Sequence, residues 1–108
     1  MATEDELIGT GHVRGLNVFQ IIPKVGDRLT ADIDPFFAPE KVCIRLKDGR
    51  GWVVGHLKTG IVGHVAGLIT SGHTVYVTIP VGATEFAQLD DDTGKRGKVI
   101  ECHVFAKN

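Results

Sequence analysis

The sequence predicts an all-β fold, a small barrel of five to six strands with one short helix after the fourth. Three observations carry that prediction. Short apolar alternations recur between turn-forming clusters rich in Gly, Asp and Pro. Residues 59–71 alone have helical periodicity. Only one connection is long enough for a crossover helix, which disfavours a parallel α/β sheet. With 108 residues, 43% of them hydrophobic and 23% charged, the chain suits a single globular domain around one core.

Taken in order, residues 1–7 (MATEDEL) read as a flexible acidic arm, and residues 8–107 as one domain. Residues 8–16 form a strand interrupted by glycine. Residues 17–26 stay ambiguous, because Pro23 breaks the apolar run of Val18, Phe19, Ile21 and Ile22. Residues 28–33 read as a strand closed by the turn-prone pair Asp34-Pro35. Residues 41–47 alternate, with Val42, Ile44 and Leu46 on one side and Cys43, Arg45 and Lys47 on the other. Asp48-Gly49-Arg50-Gly51 signals a hairpin, with Gly49 expected to supply the positive φ. Residues 52–57 return as the partner strand, with Trp52, Val54 and His56 expected on one face.

In the helix candidate, Ile61, Val62, Val65, Ala66, Leu68 and Ile69 fill one arc, opposite Gly60, Gly63, His64 and Gly67. Each internal glycine costs about 1 kcal/mol relative to Ala, so docking of the apolar arc must stabilise this helix. Thr59 is its expected N-cap and Gly72 its expected C′ residue. Residues 73–81 are the cleanest strand, with Val75, Val77 and Ile79 inward and Thr74, Tyr76 and Thr78 outward. Residues 88–97 read as a charged loop around Asp90-Asp91-Asp92. Residues 98–106 close the fold with Ile100, Cys102, Val104 and Ala106 as the inner face.

Bulk properties exclude several classes. No apolar run reaches the roughly 18–20 residues that cross a bilayer. The acidic start is the opposite of a secretory signal, so the expected location is intracellular, nuclear or cytoplasmic alike. Cys43 and Cys102 read as two small buried thiols, with a disulfide as the alternative. A net charge of −1 confines any nucleic-acid binding to a local patch. His12, His56, His64, His73 and His103 lack the spacing of a tetrahedral metal site, so no metal is expected. No nucleophile–base–acid set emerges, and neither an enzyme nor a cofactor is expected.

The element order, together with Asp34-Pro35, Cys43-Ile44-Arg45-Leu46 and Val54-Gly55-His56-Leu57-Lys58, resembles the HIRAN domain family, typified by a module of the helicase-like transcription factor. The resemblance spans residues 8–79 and is tightest over 34–68. It implies a modified OB-like barrel and a module that holds single-stranded DNA by a 3′ end. Such modules accompany helicase or remodelling ATPases, which implies a role in DNA repair. By position, His56 and Lys58 match the family's DNA-contacting segment. The chain departs from the family where the latter has Tyr-Asp followed one residue later by Asn: here stand Pro39-Glu40, then Lys41 and Val42. The family's aromatic near Val13-Arg14 is also missing.

The residues themselves point to a related surface. Lys41, Arg45, Lys47, Arg50 and Lys58 oppose a single acid, Asp48, over residues 41–58. Arg45 and Lys47 on one outer face could track a phosphate backbone, with Arg50 at the hairpin tip. The alternative is an edge protected by cations against strand-on-strand aggregation. At the helix start, His56, Lys58 and the Thr59 hydroxyl could surround one phosphate beside the helix's amide groups, or form an ordinary cap. Phe37, in the pair Phe36-Phe37, and Trp52 are candidate stacking rings, or covers for an open barrel end. The expected function is a nucleic-acid-binding module, with single-stranded DNA as partner. The alternative is a protein-interaction module docking through the loop 35–39 or an open strand edge.

Overall fold

The computed structural model describes residues 5–15, 23–34, 42–84, 86–89 and 96–107. Seven strands and one helix lie in these segments: β1 (Glu6–Arg14), β2 (Arg28–Ile33), β3 (Ile44–Lys47), β4 (Val53–Lys58), α1 (Val62–Thr70), β5 (Thr74–Thr78), β6 (Phe86–Leu89) and β7 (Arg96–Lys107). The sheet runs β1-β4-β3-β2-β5-β7-β6, and β1 also pairs with β7. Six strands therefore close into a barrel, and every pairing among the described strands is antiparallel. The seventh, β6, adds to the first residues of β7 outside that ring.

The barrel's interior follows from alternation. Val13, Leu29, Ile44, Leu46, Val75, Val77, Cys102 and Val104 are all at most 1% exposed. Burial of each such aliphatic side chain contributes about 1.5–3 kcal/mol. The inward set expected for residues 98–106 is the one observed, and Val75, Val77 and Ile79 are buried as expected. Tyr76, expected outward, lies on the outer side yet is only 7% exposed, because Arg28 and Phe105 cover its ring.

Helix α1 docks on β2 and β5. Val65 is fully buried, and Ile61, Val62, Ala66, Leu68 and Ile69 pack on the core, which is the arc read from the sequence. Gly63, His64 and Gly67 face outward. At its C-terminus Gly72, at φ +90°, donates its N–H to Ile69, and His73 donates to Leu68. That pair of bonds is a Schellman motif, so Gly72 is the expected C′ residue.

The N-terminus differs from expectation. Ile61, not Thr59, holds the N-cap position, with no side-chain cap. The Thr59 hydroxyl donates instead to the Thr10 carbonyl at 2.8 Å and accepts the Ile61 N–H at 3.3 Å. Proximity to β1 sets this: a Cβ on Gly11 would sit 2.6 Å from the Lys58 carbonyl and 3.0 Å from Thr59 Cβ. Gly55 is equally constrained, since its Cβ would meet the Arg14 carbonyl at 2.3 Å. The glycine that interrupts β1 is what lets two backbones pass this closely.

Other boundaries shift for local reasons. β1 starts at Glu6, so Glu6 and Leu7 pair with Ala106 and Phe105. β3 starts at Ile44, and Val42, expected inward, is 45% exposed while Cys43 is buried. The positive φ of the β3–β4 turn belongs to Gly51 (+85°) rather than Gly49, because the Asp48 carboxylate accepts the Arg50 and Trp52 amides and places the tight bend two residues later. Within the expected loop 88–97, Gln88 and Leu89 pair with Gly97 and Arg96. Residues 90–95 and 16–22 lie outside the described set. Cys43 and Cys102 are buried and not joined in a disulfide, and burial pushes the Cys102 thiol up to about 12.

Candidate nucleic-acid interface

Strand register assembles the candidate residues. Asp32 on β2 lies opposite Arg45 on β3, Arg45 lies opposite His56 on β4, and His56 lies opposite Arg14 on β1. Directly opposed residues share a face, so these four form one row across the outer surface. At about 4.8 Å per strand the row is roughly 14 Å long. Two residues along β4, Lys58 lies opposite His12, and His12 in turn lies opposite Glu101. Lys47 lies on the other side of the row, opposite Thr30.

Arg45, Lys47, His56 and Lys58 thus share the outer face that alternation requires, but their charges are partly matched. Arg45 donates two hydrogen bonds to Asp32, at 2.8 and 3.0 Å. Lys47 Nζ reaches the same carboxylate at 3.3 Å. The Arg45 guanidinium holds the Asp32 carboxyl below the usual carboxylate range. His56 Nε2 lies 3.1 Å from Asp34 Oδ2, and both side chains are largely buried. The cationic excess counted along residues 41–58 omitted these two acids, since they come from β2 and from the residue just after it. The Lys58 side chain makes no hydrogen bond or ion pair among the described residues.

The hairpin tip is a separate locus. Arg50 pairs with Asp48 at 3.1 Å and its side chain is 72% exposed. Partial burial pushes the Asp48 carboxyl up, but the Trp52 amide and the Arg50 groups outweigh it and hold it below its ordinary value. Trp52 is 62% exposed. It does not share a face with Val54, which is core. The register shift between Leu46 and Lys47 interrupts the alternation there. Val53 to Lys58 spans five steps, or about 17 Å. Trp52 and Lys58 therefore cannot meet one phosphate, only successive parts of an extended ligand.

Thr59, expected to donate to an anion, has its hydroxyl proton committed to Thr10. Phe36, Phe37 and Lys41 lie outside the described residues. Sequence reasoning missed Arg14, His12, Asp32 and Asp34. Alternation already turned Arg14 outward from Val13, but only the β1–β4 pairing puts it beside His56. Among the described residues, no three His, Cys, Asp or Glu side chains are grouped to hold a metal ion. No helix among them is long and apolar enough to cross a membrane.

No family model matches the chain, and no curated protein matches it. Among solved structures, the chain is similar to the crystal structure of the HIRAN domain of human HLTF. The TM-score is 0.56 at 20% identity, over 93% of this chain and 78% of that one. At that identity the likeness establishes the architecture alone, and in architecture this chain is a divergent HIRAN-like barrel.

Proposed function

We propose that this chain is a non-enzymatic module that binds nucleic acid, single-stranded DNA in particular, along the outer face of β3, β4 and β1. The observation that supports it most is Lys58. This cation has no partner among the described residues and shares a face with Arg14, Arg45 and His56, beside the start of α1. The HIRAN-like architecture agrees with this reading. In it, Lys58 and Arg14 meet phosphates, His56 and Lys47 flank them, and Arg45 acts mainly by holding β2 to β3 through Asp32. Arg50 and Trp52 extend the path to the hairpin tip, where an exposed indole stacks a base for about 1–3 kcal/mol.

The test is fluorescence anisotropy with a labelled single-stranded oligonucleotide, repeated over a salt series. Binding should weaken steeply with salt, and Lys58→Ala should reduce the log–log slope by about 0.7. The loss should be uniform across sequences. An oligonucleotide blocked at its 3′-OH then reports whether the end is held. No binding at about 50 mM salt, where phosphate contacts are strong, would sink the reading. A protein-interaction role is the second reading. It is favoured by β6, which has a neighbour on one side only among the described residues and so offers a strand edge.

A further inference from the structure

A second cluster lies on the outer surface, away from the Arg14–His56 row. Arg28 NH2 donates to Asp5 Oδ2 at 2.9 Å, and the Tyr76 hydroxyl donates to the same oxygen. The Arg28 guanidinium carbon lies 3.7 Å from the Tyr76 ring centroid. Phe105 stacks beside that ring, with centroids 5.4 Å apart and planes 9° apart. Two donors on a rigid aromatic platform thus converge on one anionic oxygen. The oxygen belongs to the chain's own acidic N-terminal segment, Glu4-Asp5-Glu6.

Register connects this cluster to the proposed interface. Lys47 lies opposite Thr30, Thr30 opposite Tyr76, and Tyr76 opposite Phe105. One outer row therefore leads from the basic hairpin to the aromatic stack, and Lys47 and Tyr76 are two strands, or about 10 Å, apart. We infer that Arg28 and Tyr76 form a further phosphate subsite for single-stranded nucleic acid, occupied in the free protein by the Asp5 carboxylate acting as an intramolecular competitor. The inference rests on the nucleic-acid reading above and extends its path. The geometry suits displacement: the Arg28 side chain is 55% exposed, so an incoming phosphate oxygen can reach the guanidinium from solvent. An ion pair with one partner this exposed is weak, so a polyanion can displace it.

Asp5→Asn, a neutral isostere, tests this in the full chain. The mutant should bind a labelled oligo-dT about two- to fivefold more tightly than wild type at low salt, the factor that such a surface pair represents. Its salt slope should steepen by about 0.7. Arg28→Ala added to Asp5→Asn should abolish both gains. In parallel, inorganic phosphate should shift the Arg28 and Tyr76 amide resonances of Asp5→Asn, and shift those of wild type far less. If oligo-dT binds wild type and Lys58→Ala weakens it, yet Asp5→Asn gains nothing, Asp5 is a structural staple and the subsite is refuted while the main reading stands. If no protein binds oligo-dT, the main reading fails. The phosphate titration then decides the subsite alone, and unmoved Arg28 and Tyr76 resonances overturn it. Thermal unfolding of each variant separates loss of fold from loss of ligand.

Discussion

Asp32 ties together two cations that sequence reading assigned to a ligand. Its carboxylate accepts both Arg45 hydrogen bonds and lies beside Lys47, and Arg45 holds its carboxyl below the usual value. Because the folded form has the depressed pKa, the resulting stability is present above the unfolded carboxylate value near 3.9 and fades as pH falls through the folded value. The groups are partly exposed, so solvent screening keeps the contribution to at most about 1 kcal/mol. Asp32→Asn should therefore lower stability near neutral pH by up to about that amount and flatten the acid limb of a urea-midpoint profile below about pH 4. An unchanged acid limb would remove Asp32 as its source. Lys58 is the contrasting case. It has no comparable partner among the described residues, so its removal should cost ligand rather than fold.

The helix is the element with the weakest intrinsic preference. Gly63 and Gly67 lie on its solvent side, and a Cβ at either position meets nothing within 4 Å. Gly67→Ala, within the helix Val62–Thr70, should stabilise the protein by about 0.5–1 kcal/mol, the propensity difference in a helix interior. Gly72→Ala also meets open space, yet its φ of +90° lies in the left-handed region, so that change should destabilise by about 1–3 kcal/mol. Chemical denaturation of the two variants checks the opposite signs, and like signs would mean that the helix ends elsewhere. Both glycines and the apolar arc were legible in the sequence, because helical periodicity and C′ chemistry are local. The N-cap was not, because Thr59 is drawn to the Thr10 carbonyl 49 residues away.

At the scale of the molecule, closure of the ring should govern the hierarchy of stability. Residues 103–106 of β7 pair with β1 on one side and β5 on the other, whereas β6 pairs only with β7 among the described strands. Native-state hydrogen exchange should find the amides of residues 103–106 opening only with global unfolding, and those of Phe86–Leu89 opening at much lower free energy. Equal protection in the two would indicate that the β6 edge is covered. That same edge is what a protein partner would use, so its protection on addition of a partner reports on the second functional reading.

Sequence alone determined the all-β class, the helix after the fourth strand, its buried arc and Gly72 stop, and the inward faces of β5 and β7. Each of these follows from periodicity or turn chemistry within a dozen residues. Tertiary structure decided that six strands close into a ring through β1 and β7, and that Gly11 and Gly55 serve close backbone approach. It also set Asp32 and Asp34 against the basic residues, brought Arg14 beside His56, and folded Asp5 onto Arg28 and Tyr76. The physical reason is register. Side-chain direction along a strand is local, but which residue stands opposite which is settled only when distant strands pair, and charges match or oppose one another across strands.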